Sequence, residues 1–448
     1  MKTTRYIVFI FAMLISSLGT AQDRNLVQVV VGNEGNFTTS NATITNYIVE
    51  TGATTDGVYF AANEIGIGDV VQSMAWDNGQ LFAVINNSQK IVILDDETFE
   101  QTGQITFPEG ASPREFVKVT ANKAYVTDLY ASAVYVVDLQ DYSVAETTIP
   151  VGTNPDRIIE YNGFAYVANN GFGSDSTIFK IDVSTDAVVD TFEVNRGPGG
   201  MVVDSEGTLW VISGGYAGDF DENFQIIPGT SKPGGVHGIN LFTGEETTFT
   251  EISSAGSDIA LNEVNNKLYV NTGGLRSFDI STGEFSADTL VKGSFYAIGF
   301  EPENQNFYLA DAKDFSSKGD VIIYNENTTE STTFQAGIIP GSFLFLYEDM
   351  LNTSSEIMDQ IAGFKLDQNY PNPFNPTTQI QYSLSQPGHV KLEVFNITGQ
   401  RVAVLVNGNQ AVGVKSVQFD ASNLSSGMYI YRIVTPTGSL SKKMMLIK

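Results

Sequence analysis

Six segments of this 448-residue chain repeat one pattern: LFAVIN, AYVTDL, AYVANN, LWVISG, LYVNTG and FYLADA. They align on an aromatic residue, Phe82, Tyr125, Tyr166, Trp210, Tyr269 and Tyr308, at separations of 43, 41, 44, 59 and 39 residues. A period near 40 is the length of four short strands with their turns, the unit of radially repeated sheets. One such unit cannot bury its own apolar faces, so the repeat requires neighbours that stack on it.

After each aromatic strand comes a loop, then a strand such as KIVILD, AVYVVDL, TIFKIDV or VIIYNE, a turn and a threonine-rich strand. The turns Val183-Ser184-Thr185-Asp186 and Ile280-Ser281-Thr282-Gly283 use hairpin chemistry. Alternation such as Tyr135 and Val137 against Val136 and Asp138 has the strand period, and no window carries a helical one. A seventh unit begins with LVQVVVGN at Leu26, continues through ATITNYIVE and a third strand expected near Gly57 to Ala61, and lacks an innermost strand. The late segment Ile339 to Leu346 supplies it, giving about 46 residues per unit between Leu26 and Leu346. The expectation is an all-β chain: a seven-bladed β-propeller over 22–347 that closes by adding its last strand to its first blade, then a small immunoglobulin-like β-sandwich.

The ends differ from the repeat. Lys2 and Arg5 precede an apolar run from Tyr6 to Leu18, and Gly19-Thr20-Ala21 follows, which reads as a signal peptide over 1–21. The run is short of the roughly 20 residues a membrane span needs. No later segment is apolar enough to span, so no transmembrane segment is expected in the mature protein. Charge divides the remainder: Asp23 to Gly363 carries 14 basic and 48 acidic residues, Phe364 to Lys448 carries 8 and 3. Such a shift marks a boundary, and the polar stretch 348–363 reads as its linker.

Composition narrows the function. A net charge of −27 repels phosphate backbones, so no nucleic-acid partner is expected. Two histidines and no cysteine leave little material for a multi-histidine metal centre or a thiol nucleophile. An acidic surface also keeps an exported protein soluble.

Two resemblances follow from particular residues. Tyr125-Val126-Thr127-Asp128, Tyr166-Val167-Ala168-Asn169 and Tyr269-Val270-Asn271-Thr272 resemble the YVTN repeat of YncE-like and surface-layer β-propeller proteins. Ser112-Pro113-Arg114 and Asn154-Pro155-Asp156-Arg157 match the proline-bearing entry to that family's inner strand. The resemblance implies a propeller, in a family that is mostly uncharacterised or non-enzymatic. The second concerns residues 364–448. Asn369-Tyr370-Pro371-Asn372-Pro373-Phe374-Asn375-Pro376-Thr377-Thr378, Gly399-Gln400, the segment Leu424 to Tyr429 with Gly427, and Lys442-Lys443-Met444 resemble the type A C-terminal sorting domain of the type IX secretion system of Bacteroidota. That implies a secretion-machinery partner, export across the outer membrane, and cargo either released or attached at the cell surface.

In a propeller the inner-strand starts and the loops after the second strands converge on one face around the channel, the default ligand site. Arg114, Asp128, Arg157, Asn169, Asp258, Tyr296 and Asp311 are the candidates there. Two arginines could clamp a carboxylate, phosphate or acidic sugar; equally, they could pair with aspartates between blades. The ligand classes open are small anions, glycans and proteins, and an alternative is a secreted lyase or hydrolase on polysaccharide or lactone substrates around Asp128, Arg157 and Asp311. No organic cofactor is expected. Asp219, Asp221 and Asn223 have a spacing that calcium could use, without the distal glutamate of a helix-loop-helix site. His237 reads as a packed histidine more readily than as a base.

Overall fold

The computed structural model describes residues 25–219, 221–223, 225–252, 256–348, 364–366, 369–384, 387–396, 401–411, 413–435 and 438–448. The signal-like segment 1–21, the expected linker beyond Glu348, and Gly399 lie outside the described residues.

Among the described residues, seven antiparallel sheets follow one another between Leu26 and Tyr347. The second shows the plan: Val71–Asp77, Gln80–Ile85, Lys90–Asp95 and Gln101–Thr106 lie side by side in chain order. In the third, two short strands, Ser143–Val144 and Ile149–Pro150, share the outer edge. The inner strands are Pro340–Tyr347, Val71–Asp77, Pro113–Thr120, Pro155–Tyr161, Pro198–Val203, Asp258–Asn262 and Ala297–Glu301; each touches the next and the last touches the first. The sheets therefore form a closed ring around an axis.

Closure comes from pairing across the whole ring. Pro340–Tyr347 lies antiparallel to Leu26–Asn33, with Val29 opposite Phe345 and Val31 opposite Phe343. Backbone bonds from Glu34 to Ile339 and from Glu348 to Asn25, both 2.9 Å, extend the ladder at its two ends. The third strand of this sheet is Ala53–Asp56, and the stretch expected to be that strand is instead a short helix, Val58–Asn63. Gly57, at φ 79°, turns the chain there. Tyr59 then buries its ring and donates its hydroxyl to Gln101 of the second sheet at 2.7 Å, a contact that a six-residue pattern does not reveal.

The core is divided by interface. One cluster of buried apolar side chains fills each gap between neighbouring sheets: Ile44, Val71, Leu81 and Leu346 between the first and second; Phe82, Ile93, Phe116 and Val126 between the second and third; Tyr47, Tyr308, Val321 and Phe334 between the seventh and first. The repeat's aromatic residues all sit in these gaps, at most 3% exposed, which explains their spacing as packing. Several also latch. Tyr125 donates its hydroxyl to Asp186 of the next sheet, where Lys123 adds an ion pair at 2.6 Å; Tyr269 and Lys267 do the same to Glu326.

The C-terminal residues form two sheets over one core. Thr377–Leu384 lies between Phe364–Leu366 and Gly413–Asp420; Arg401–Gln410, Gly388–Asn396, Gly427–Thr435 and Gly438–Leu446 make the other. The proline-rich entry is a structural plug. Phe374 is buried, its amide donating to Met445 and its carbonyl accepting from Ile447, while Asn372 Oδ1 accepts the Met445 amide at 2.8 Å. Asn369 donates to Thr378 Oγ1 and the Pro371 carbonyl, both at 3.0 Å. Tyr370 and Asn375 face solvent. Gly427, at φ 149°, has a backbone that side chains rarely adopt.

Leu346 is completely buried in the closing strand. Leu346→Ala should cost about 2–5 kcal/mol in chemical denaturation; a change below about 0.5 kcal/mol would mean that the closing strand carries little of the ring's stability.

Candidate functional site

The inner strands all begin on one face, and four begin with proline. Pro113-Arg114-Glu115, Pro155-Asp156-Arg157 and Pro198-Gly199-Gly200 each fall in a register shift against the neighbouring strand. A bulge frees two residues from the ladder and re-aims their side chains. Here that gathers charge at the mouth of the ring.

Arg114 Nε pairs with Asp156 Oδ1 at 3.0 Å, and its Nη1 donates to Gln72. Arg157 donates from Nη1 to Glu115 Oε2 at 3.2 Å, and its Nη2 lies 3.9 Å from Asp258 Oδ1. Asp258 also accepts the amides of Ile259 at 3.1 Å and Ile298 at 3.3 Å. Tyr296 donates its hydroxyl to Glu34 Oε2 at 2.9 Å. Gly341 stands against Glu34 and the Tyr296 ring, where a Cβ would come within 3.2 Å and 3.3 Å of them. Side chains from six of the seven sheets thus meet, with four carboxyls against two guanidinium groups.

Burial sets the electrostatics. It pushes the Glu34, Glu115 and Asp258 carboxyls above their ordinary values, outweighing Tyr296 for the first and Arg157 for the other two. Asp156 feels the same burial, but Arg114 and Arg157 outweigh it and hold the carboxyl down. Arg157 is pushed up, chiefly by Glu115.

Of the candidates that the sequence suggests, Arg114, Arg157, Asp258 and Tyr296 come together at this mouth. Asp128, Asn169 and Asp311 do not join them. Asp128 is fully buried and accepts the amides of Ser112 at 2.6 Å, Tyr130 at 2.9 Å and Ala131 at 2.7 Å, so it caps its own loop and the crossover that enters its own sheet. Asn169, also fully buried, donates to Thr177 Oγ1 at 3.0 Å. Asp311 accepts the Lys313 amide at 2.8 Å. Polar residues that end second strands serve turns and neighbouring strands, a use that residue type alone does not separate from ligand contact. Glu34 and Glu115 are additions that the sequence did not single out. The signal for Glu115 is its place directly after Pro113-Arg114, inside the bulge.

The long loop after the fifth sheet's second strand spends its acidic groups internally. Asp219 accepts the Tyr216 hydroxyl at 2.7 Å, and Asp221 accepts the amides of Asn223 and Gln225 at 2.8 Å and 2.9 Å. Among the described residues no three His, Cys, Asp or Glu side chains are grouped to hold a metal ion. Because Asp219 and Asp221 are already engaged by groups of their own loop, melting curves with excess chelator and with added calcium should superimpose; a calcium-dependent rise would make the loop a calcium site.

His237 has more structure than the sequence suggests. Its Nδ1 lies 2.6 Å from Glu246 Oε1, and its Nε2 lies 2.9 Å from Ser213 Oγ. The connectivity is that of a Ser-His-Glu triad. However, Nε2 accepts the Asn195 amide at 3.3 Å, Ser213 Oγ accepts the Gly235 amide at 2.9 Å, and both residues are at most 1% exposed. No substrate carbonyl reaches the hydroxyl, and the group acts as a buried cross-link of the fifth sheet.

A family profile described as "Domain of unknown function (DUF5074)" matches residues 29–337. The chain belongs to that family. A second profile, described as "Secretion system C-terminal sorting domain", matches residues 368–448 of this DUF5074 protein. It marks the protein for type IX export to the cell surface or the extracellular space and implies contact with the secretion machinery. No curated protein matches the DUF5074 chain. Among solved structures, a quinonprotein alcohol dehydrogenase-like protein from Bacteroides thetaiotaomicron is similar at 14% identity and TM-score 0.53, over 72% of this chain and 78% of that one. Apo AztD from Citrobacter koseri is similar at 10% identity and TM-score 0.47, over 72% and 98%. The first likeness shows a propeller-like fold, which hosts many functions and assigns none. Among the described residues no helix is long and apolar enough to cross a membrane.

Burial pushes His237 below its ordinary 6.5 against the opposing pull of Glu246. The unfolded chain then binds a proton that the folded chain resists, so the stability carried by neutral His237 is complete above about pH 6.5 and drains away as pH falls through that value. Thermal melting of the native protein should decline more steeply from about pH 7 to about pH 5 than that of His237→Gln; parallel profiles would show that His237 does not set the dependence.

Proposed function

We propose that this DUF5074 protein is a non-catalytic binding module: a seven-bladed propeller over 22–347, joined through 348–363 to a sorting domain over 364–448, with its ligand taken at the charged mouth. The observation that carries the reading is the mouth itself, where, among the described residues, side chains from six sheets converge without a nucleophile, a metal-ligand group or a free acid–base pair. The same observation limits the ligand. Arg114 and Arg157 are each held by carboxylates of other sheets, so an anion would have to displace a bound partner before it gained either guanidinium.

The hydrolase or lyase alternative relies on Asp128, Arg157 and Asp311 acting together. Asp128 spends its oxygens on three amides and Asp311 turns its own loop, so neither joins Arg157 as an acid or base, and no observation favours that reading.

Arg157→Ala tests how the mouth is held. It leaves Glu115 and Asp258 partly buried without their cation, and the expected loss in denaturant melts is about 1–3 kcal/mol, below the cost for a fully buried pair because the Arg157 side chain keeps 35% of its surface. An unchanged midpoint would show that the pairing is dispensable and the arginine free for a ligand. The binding reading itself is checked by a thermal-shift screen of the full chain against organic acids, amines, glycans and basic peptides. It requires at least one stabilising compound whose effect is lost on Arg114→Ala or Glu34→Gln; turnover of a polysaccharide or lactone would overturn it.

A further inference from the structure

The face that carries the mouth is unusual in its aromatics. Among the described residues of the ring, eight phenylalanine or tyrosine side chains are exposed, and five of them stand on this one face: Phe37, Tyr130, Phe172, Tyr296 and Phe315. Phe37, Tyr130, Phe172 and Phe315 each occupy a loop that follows a second strand, in the first, third, fourth and seventh sheets, at 52–71% exposure. Packing does not account for them: each is more than half exposed, whereas the repeat aromatics Tyr125, Tyr166 and Tyr308 of the third, fourth and seventh sheets are buried in the gaps between sheets.

The loops hold these rings outward at a conformational cost. Phe172 has φ 50° and Phe315 φ 60°, in the left-handed region that bulky side chains rarely enter. Phe315 also packs edge-on against Tyr296 at 5.9 Å, its carbonyl accepting the Asn36 side chain at 2.6 Å. Tyr296 in turn reaches Glu34. A chain of contacts therefore runs from the exposed crown to the partly buried carboxyls of the mouth.

Charge selects what can sit there. At the centre four carboxyls face two guanidinium groups, and the segment from Asp23 to Gly363 carries 48 acidic residues against 14 basic. Such a field draws cations and repels anions. Aromatic faces attract ammonium and guanidinium groups as well as apolar surface, and exposed tyrosine and phenylalanine are the anchors of protein interfaces. Four separate loops around the axis offer more surface than one small amine covers.

Resting on the binding-module reading, we propose that this face docks a basic polypeptide segment of a partner protein. A lysine or arginine side chain enters the mouth toward Glu34, Glu115 and Asp156, and the flanking residues lie on the aromatic crown. The incoming cation compensates the excess negative charge that the two arginines leave unmatched.

The test uses the full chain and a fluorescein-labelled peptide of alternating lysine and glycine, with a glutamate-glycine peptide and a neutral oligosaccharide as comparison probes. Fluorescence anisotropy should show saturable binding of the lysine peptide alone. Phe172→Ala with Phe315→Ala should weaken it by about tenfold or more, and Glu34→Gln, which keeps the Tyr296 acceptor, should weaken it measurably. Glu206→Gln, an exposed acid on a turn of the opposite face, should leave it unchanged, and all variants should melt within a few degrees of the native protein. Equal loss with Glu206→Gln, or binding that ignores the aromatic substitutions, would reduce the effect to general acidity and overturn the proposal. So would saturable binding of the oligosaccharide or the glutamate peptide in place of the lysine peptide. In that case a ligand still lost on Arg114→Ala or Glu34→Gln would leave the binding-module reading standing, whereas failure of every probe and every screened compound would end both.

Discussion

The ring depends on one antiparallel pairing between residues more than three hundred positions apart. Without it, the first of the seven sheets would present Leu26–Asn33 as an open inner edge. An unpaired strand edge exposes backbone groups and invites association with other chains. Drawing Pro340–Tyr347 back onto Leu26–Asn33 covers that edge, and the cost grows only slowly with the length of chain enclosed. Glu34 and Gly341 are brought to the mouth by that same step, so the functional face exists only once the chain has closed.

Within the closed ring, polar side chains divide their labour by depth. Buried residues at strand ends, Asp128 and Asn169 among them, satisfy amides and side chains in turns, as buried polar groups must. The carboxyls and arginines one step further in answer to side chains from other sheets, and of the carboxyls Asp258 also accepts two amides. On the opposite face Tyr125 with Asp186 and Tyr269 with Glu326 tie neighbours together. The repeat therefore encodes packing, stapling between sheets and a polar mouth in the same forty residues, while the loops after the second strands are free to vary.

Much of this was legible in the order of residues. The aromatic positions and their spacing follow from the size of a four-stranded unit, and the unmatched innermost strand near Phe343 follows from counting strands in the first unit. Arg114 and Arg157 stand out because each lies just after a proline at a strand start. The helix at Val58–Asn63 was not legible, since six residues are too few for a period and its anchor, Gln101, lies in another sheet. Nor was the environment of His237, whose partners Asn195, Ser213 and Glu246 are scattered over more than fifty positions and meet only through strand register.

What the amino-acid order determined by itself is local and periodic: strand and turn chemistry, the repeat length, the acidic and basic halves, and the proline-rich entry of the sorting domain. Tertiary structure alone decided which charges face one another, that both arginines of the mouth are already paired, and that the exposed aromatics gather on one face. The physical reason is that side-chain periodicity is a property of a single strand, whereas an ion pair or a docking surface depends on the angle and register between sheets, which only the closed ring sets.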